Sequence, residues 1–280
     1  MKRFLLTAFV FLFVGFLALC VLAPVTLFAK NPVLRMATTT STDNTGLLDI
    51  LAPVFQKDTG IELQWVAVGT GKALALGQNC DVDILMVHAP DAERKFVNDG
   101  FGVDRKEFMY NDFIIIGPKS DPARIAGKSV QEALTRIESS SAPFASRGDD
   151  SGTNKLEISL WKSSGFSIPD RESWYIQTGQ GMIATIIIAE ERDAYTLTDR
   201  GTYIKYEANK SGNPPLTILV EGDTSLLNQY SVIAINPERC PSAQYELAIQ
   251  FVDWITSDKT QQLIGDFKLL GKQLFTPNAE

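Results

Sequence analysis

The residues with the most evident chemistry lie in Ser146-Arg147-Gly148-Asp149-Asp150-Ser151-Gly152-Thr153. Arginine offers a planar fork of N–H donors, and a glycine-broken turn leads from it through Ser-Gly-Thr into a helical pattern. A helix start adds free backbone N–H groups and the positive end of a dipole. Arg147, Ser151, Gly152 and Thr153 are therefore candidates for holding an anion. The plainer alternative is an exposed turn before a capped helix, where Asp, Ser and Thr are common. Asp149 and Asp150 read as outward-facing or as orienting Arg147. A carboxylate this near an anion site would otherwise suit a ligand that keeps a proton, as phosphate does.

Two further turns share this donor chemistry. Thr38-Thr39-Thr40-Ser41-Thr42 is a run of hydroxyls, longer than one helix cap requires, between a strand pattern and a helix pattern. Gly69-Thr70-Gly71 stands between the next strand and helix patterns, where glycines admit close approach to backbone N–H groups. Each alone reads equally well as an ordinary polar loop. All three fall at the end of a strand that opens a helix, where open α/β sheets bind ligands.

The elements that must position these turns alternate. Strand patterns at 33–37, 61–68, 82–87, 112–117, 144–146, 174–176, 194–197, 217–220 and 229–235 are apolar and short. Helix patterns occur near 45–58, 72–78, 91–98, 130–138, 154–162, 182–190, 245–257 and 259–267. Leu247, Phe251 and Trp254 share one apolar face at helical spacing. The alternation predicts an α/β fold with mostly parallel sheets and flanking helices.

The chain opens on Lys2-Arg3 and an apolar run to about Ala23, interrupted by Pro24 and ending at Ala29. This layout predicts a secretory signal over 1–29, cleaved after Ala29. An uncleaved anchor and a lipid-modified Cys20 are the alternatives. Losing Lys2 and Arg3 takes the net charge from −7 to −9, so a bound anion must rely on local donors. So acidic a chain, with no basic tract, argues against nucleic acid as a partner. Cys80 and Cys240 remain after cleavage; they could pair in an oxidising compartment or stay separate buried thiols. His88 is the chain's one histidine, and neither a G-x-S-x-G elbow nor an H-E-x-x-H motif occurs, which argues against a hydrolase. Arg147-Gly148-Asp149 as an adhesion tripeptide is too short a match to carry weight.

Taken together, Thr38-Thr39-Thr40-Ser41, Gly69-Thr70-Gly71, the run Val82-Asp83-Ile84-Leu85-Met86-Val87-His88-Ala89-Pro90, Phe108-Met109-Tyr110-Asn111-Asp112-Phe113, the Ser146–Thr153 stretch and Ala194-Tyr195-Thr196-Leu197-Thr198-Asp199-Arg200-Gly201 resemble the tungstate-binding solute-binding proteins of the TupA type. The likeness spans essentially the whole mature chain, although Ser-Gly-Thr after an arginine is also similar to phosphate-binding proteins of the same general fold. It implies a two-lobed, type II periplasmic-binding-protein-like fold. Lobe one would take 31–112 and 233–280, and lobe two 113–232. It implies a monomeric, non-enzymatic periplasmic protein, without cofactor or resident metal, that closes on a tetrahedral oxyanion and delivers it to an ABC permease. Thr38, Thr39, Thr40, Ser41, Gly69, Thr70 and Gly71 would serve one lobe, and Arg147, Ser151, Gly152 and Thr153 the other. The implied ligand is tungstate, with molybdate, phosphate and sulfate as alternatives. Tungstate and molybdate are dianions whose oxygens only accept hydrogen bonds, so a dry site needs many donors and few full charges. The pattern of the family says nothing of Cys80 and Cys240.

Overall fold

In the computed structural model, residues 31–280 are described; the expected leader over 1–29 lies outside the described residues. The chain runs β1 (Val33–Thr39), α1 (Thr40–Asp43), α2 (Leu47–Thr59), β2 (Glu62–Val68), α3 (Thr70–Gln78), β3 (Ile84–Val87), α4 (Pro90–Asn98) and the long β4 (Gly102–Pro118). It continues through α5 (Val130–Ser140), β5 (Phe144–Ser146), α6 (Gly152–Ser163), β6 (Tyr175–Gln177), α7 (Met182–Glu191), β7 (Thr196–Asp199) and α8 (Arg200–Asn209). Then come β8 (Leu216–Val220), β9 (Leu227–Ile235), α9 (Tyr245–Thr256), α10 (Asp258–Asp266) and the short β10 (Lys268–Leu269), β11 (Lys272–Gln273) and β12 (Thr276–Pro277). Among the described residues no helix is long and apolar enough to cross a membrane.

The principal sheet has the order β12-β4-β9-β3-β1-β2, and β7 and β8 pair with the far end of β4. β1 lies parallel to both β2 and β3, so the three strands end at one edge. β5 lies parallel to β6, and Phe144 bridges in parallel to Tyr195 just before β7, making a second such edge. The strands that carry the candidate turns are thus parallel. Antiparallel pairing enters through β9 and β4, which run past each other from Gly102↔Ile235 to Asp112↔Leu227.

Pro32–Glu280 is one contact unit, with its apolar core in separate clusters. One is built around Leu34, Met36, Leu51, Phe55, Phe251 and Trp254, and the Phe55 ring meets Phe251 and Trp254 at 5.0 and 5.1 Å. Another gathers Ile115, Ile137, Phe144, Trp161, Tyr175 and Tyr195. The first draws on 34–109 and 230–275, with Ile204 of α8 added, and the second on 113–226. Among the described residues only β4 runs unbroken through both.

The short α1, β10, β11 and β12 answer to no sequence pattern, and two longer elements also differ from expectation. β4 begins ten residues before the expected 112, at Gly102. Its charged stretch Asp104-Arg105-Lys106-Glu107 hides the alternation, which two register shifts against β9 break further. α8 has no apolar stripe of ordinary spacing; it forms because Asp199 Oδ1 accepts from Thr202 N at 2.8 Å and because Tyr203, Ile204 and Tyr206 are buried. Cys80 and Cys240 are joined in a disulfide, which ties the end of α3 to the segment after β9.

Candidate functional site

The β1–β2–β3 edge brings two of the three turns together. Thr39 pairs with Val68 in register, so the Thr39–Ser41 turn and the Gly69–Gly71 turn emerge side by side, and Val87-His88 follows on the other flank. Thr38 is fully buried and its hydroxyl donates to the Met86 carbonyl at 2.9 Å, so this side chain serves the sheet. Thr39 caps α1, accepting from Thr42 N at 3.2 Å, and its hydroxyl also meets Thr42 Oγ1 at 2.7 Å. Thr40 and Ser41 are exposed on the first turn of α1. His88 Nε2 lies 3.0 Å from both Thr39 Oγ1 and Ser41 Oγ. Burial holds its pKa below the ordinary imidazole value, against the hydrogen bond to Asn228 and the charges of Glu93 and Asp199.

Gly69 caps α3 and Gly71 lies in its first turn, with Thr70 half-buried between them. Neither glycine has a positive φ, and a Cβ built on either meets no atom within 4 Å. Conformation and packing within the chain therefore leave both positions open to side chains that are not there. Gly152 in the first turn of α6 and Gly181 at the cap of α7 have the same character. These are helix starts with their backbone donors uncovered.

The third turn stands on the β5–β6–β7 edge. Thr178 N donates to Ser146 O at 2.9 Å and Gly179 N to Arg147 O at 2.8 Å, pinning the backbone on both sides of β5's end. Gly148 has φ +58 and a Cβ there would meet Gln177 Cβ at 3.0 Å, so glycine is required at this bend. Arg147 Nη2 donates to Asp149 Oδ2 at 2.5 Å, while Asp149 Oδ1 accepts from Ser151 N at 3.2 Å. Burial would raise the Asp149 carboxyl, but the hydrogen bonds from Ser151 and Arg147 outweigh it and hold the group below the ordinary aspartate value. Asp149 thus orients Arg147. Arg147 Nε is buried with no partner among the described residues. Ser151 caps α6, accepting from Asn154 N at 3.3 Å, and Thr153 is half-buried beside it.

Beneath this loop lies a polar cluster that sequence patterning does not reveal. Glu157 Oε2 accepts from Ser146 Oγ at 2.6 Å, and its Oε1 accepts from Tyr175 OH at 2.5 Å and Trp161 Nε1 at 3.1 Å. Asn154 donates to Ser146 Oγ at 3.2 Å and accepts from Asp150 N at 3.2 Å. Burial raises the Glu157 pKa despite these donors. Among the described residues no hydrogen bond or ion pair joins the Arg147 loop to the Thr39–His88 group; each belongs to its own sheet edge. Both present acceptor-seeking donors at strand ends.

Comparison with known proteins fits this arrangement. A model of the PBP superfamily domain matches residues 28–259. The tungstate-binding protein TupA of Campylobacter jejuni is 55% identical over 240 residues, covering 86% of this chain and 89% of that protein. The chain belongs to the TupA family. The solved structure of the tungstate-binding protein TupA from Desulfovibrio alaskensis G20 is 64% identical, with a TM-score of 0.87 over 89% of this chain and all of that one. A structure described as the tungstate ABC transporter from Geobacter sulfurreducens is 47% identical, with a TM-score of 0.73 over 84% of this chain and 98% of that one. The α/β fold of the PBP superfamily, expected from the sequence, is therefore the fold of this TupA-family chain.

Several residues at these edges lie outside the candidate set that the sequence offers. The Thr178-Gly179-Gln180-Gly181 turn carries the same signal as Gly69-Thr70-Gly71, a glycine turn between strand and helix. His88 was visible as a strand-end histidine, but its link to Ser41 crosses between two strands. Nothing in the local sequence marks Asn111 and Asn228, which lie far apart in the chain.

Proposed function

We propose that the protein captures tungstate as a dianion and hands it to an ABC permease, serving as the solute-binding component of a transporter. The observation that carries this reading is the buried Arg147 Nε without a partner, in a loop that opens α6. A buried guanidinium nitrogen left unpaired costs roughly 1–3 kcal/mol, more where charge is involved. An oxyanion that accepts from it removes that cost. Arg147, Ser151, Gly152 and Thr153 would hold the anion from one side, and Thr39, Thr40, Ser41, Gly69, Thr70 and Gly71 from the other. The open glycines at the helix starts support close approach of ligand oxygens to backbone N–H groups.

Asp149 bears on which anion is bound. Held low and already engaged by Arg147 and Ser151, it is a poor acceptor for the proton that phosphate carries. This favours a ligand with no proton to give. The site would be shared between a lobe of 31–112 with 233–280 and a lobe of 113–232; the two core clusters described above support such a division, except that Ile204, Tyr230 and Val232 pack in the first cluster. A leader over 1–29, periplasmic residence, a monomeric state and the permease partner complete the proposal. Calorimetric competition among tungstate, molybdate, phosphate and sulfate tests it. Tungstate should bind far more tightly than phosphate and sulfate. Equal or tighter phosphate binding would overturn the assignment.

A further inference from the structure

We propose that His88 is a positioning residue for the hydroxyl donors of Thr39 and Ser41, and that anion binding draws a proton onto its Nε2. This rests on the reading of the Thr39–Ser41 turn as half of an oxyanion site.

The geometry fixes one ring nitrogen and leaves the other variable. Asn228 Nδ2 donates to Asn111 Oδ1 at 2.7 Å and lies 3.3 Å from Tyr230 OH, so the opposite end of the amide, Oδ1, faces His88 Nδ1 at 2.9 Å. A carbonyl oxygen can only accept, so Nδ1 carries a proton in either charge state. The proton that comes and goes is therefore the one on Nε2.

Nε2 stands 3.0 Å from two hydroxyls, each with a single proton. With a neutral ring, Nε2 is an acceptor, and Thr39 or Ser41 must spend its proton there. That hydroxyl then presents only lone pairs elsewhere, which is the wrong face for a ligand that only accepts. With a protonated ring, Nε2–H donates to a hydroxyl oxygen, and the hydroxyl proton that Nε2 had accepted is released to point at the anion. The same proton adds a positive charge beside a dianion, and solvent supplies it.

The surroundings keep the ring neutral until that charge arrives. Tyr230 of β9 stacks on the imidazole at 4.7 Å, and burial lowers the His88 pKa. Glu93 of α4 and Asp199 of β7 pull the other way. Glu93 is already committed to Arg105 of β4 at 2.9 Å and to Ser231 of β9 at 2.7 Å, and Asp199 caps α8. Asn111 of β4, Asn228 of β9 and Thr42 of α1 complete the network without charge. Binding a dianion raises the His88 pKa, so affinity rises as pH falls from the liganded toward the free value, by at most about tenfold per pH unit for one proton.

Calorimetric titration of tungstate into the full protein, between about pH 6 and 8.5 and in two buffers of different ionisation enthalpy, tests this. Wild type should take up a fraction of a proton per anion and bind more tightly toward the acid end. His88→Gln should bind more weakly there and show no proton uptake. Asn228→Asp sets a carboxylate against Nδ1–H, and should move the pH dependence to higher pH while proton uptake persists. Binding by wild type without proton uptake overturns the inference, as does uptake undiminished in His88→Gln. Should wild type fail to bind tungstate at any pH, the oxyanion reading falls instead.

Discussion

At the scale of single residues, Arg147 is the side chain on which the proposed site most depends. Arg147→Ala should cost about 2–5 kcal/mol, or some thirty-fold to several-thousand-fold in tungstate affinity, because it removes a charge-assisted donor from a desolvated position. Arg147→Lys should restore only part of this, since an ammonium lacks the planar fork that lets Nη2 reach Asp149 while Nε is left for the proposed ligand. Isothermal titration of the folded variants is the measurement, and binding by Arg147→Ala within threefold of wild type would make the arginine structural. Glu157 offers a test of a different kind. Burial raises its folded pKa above the unfolded value, so its contribution to stability is present below the unfolded value and is lost as pH rises through the folded one. Glu157→Gln keeps the shape and removes that titration. Its stability relative to wild type should improve from acid to neutral pH in denaturant unfolding, and a relative stability that does not change with pH would contradict the assignment.

At the scale of elements, helix starts and strand ends carry the proposed site, and their supports are local. Ser151 caps α6 and also faces the proposed ligand, so Ser151→Ala should lower both stability and affinity, each by about 1 kcal/mol. Gly69 and Gly71 differ from Gly148 in what they require. At Gly148 the positive φ and the contact with Gln177 should make Gly148→Ala destabilising, by roughly 1 kcal/mol or more. At Gly71 nothing in the chain resists a methyl group, so Gly71→Ala should leave thermal stability unchanged while weakening tungstate binding. Comparing melting temperature with affinity for the two variants separates a glycine kept for the backbone from one kept for a ligand.

At the scale of the whole molecule, two devices hold distant segments to the sheet. Asp83 is fully buried and accepts from Arg35 Nη2 at 2.7 Å, Arg35 Nε at 3.1 Å, Arg35 N at 2.8 Å and Gln244 N at 3.0 Å, fastening β1 to the segment that begins α9. The Cys80–Cys240 disulfide closes a sequence separation of 160 residues and anchors the far end of α3, whose start bears Gly69-Thr70-Gly71. Replacing both cysteines with serine should cost about 2–5 kcal/mol of unfolding free energy in denaturant titration. Saturating tungstate, which binds only the native state, should return about 4 kcal/mol at a thousandfold excess over Kd. A double variant that loses nothing on reduction-free unfolding would show the bridge to be dispensable.

The sequence by itself determined the kind of element on either side of each candidate turn. Apolar runs such as Ile84–Val87 and the N-capped pattern after Ser151 are local signals, set by side-chain periodicity and by hydrogen bonds that span a few residues. Donor chemistry at Thr39–Ser41, Gly69–Gly71 and Arg147–Thr153 was legible for the same reason, as residue types at strand ends. The tertiary structure alone decided the rest. That β4 extends back through Asp104-Arg105-Lys106-Glu107 depends on β9 as its partner, because a charged segment becomes strand only when another strand satisfies its backbone. That Thr38 turns into the sheet while Thr39 meets His88 depends on the alternation of a strand whose register is set by β3. The union of Cys80 with Cys240, and of His88 with Asn228 and Asn111, joins positions too remote in sequence for periodicity to relate. Only packing brings such groups within bonding distance.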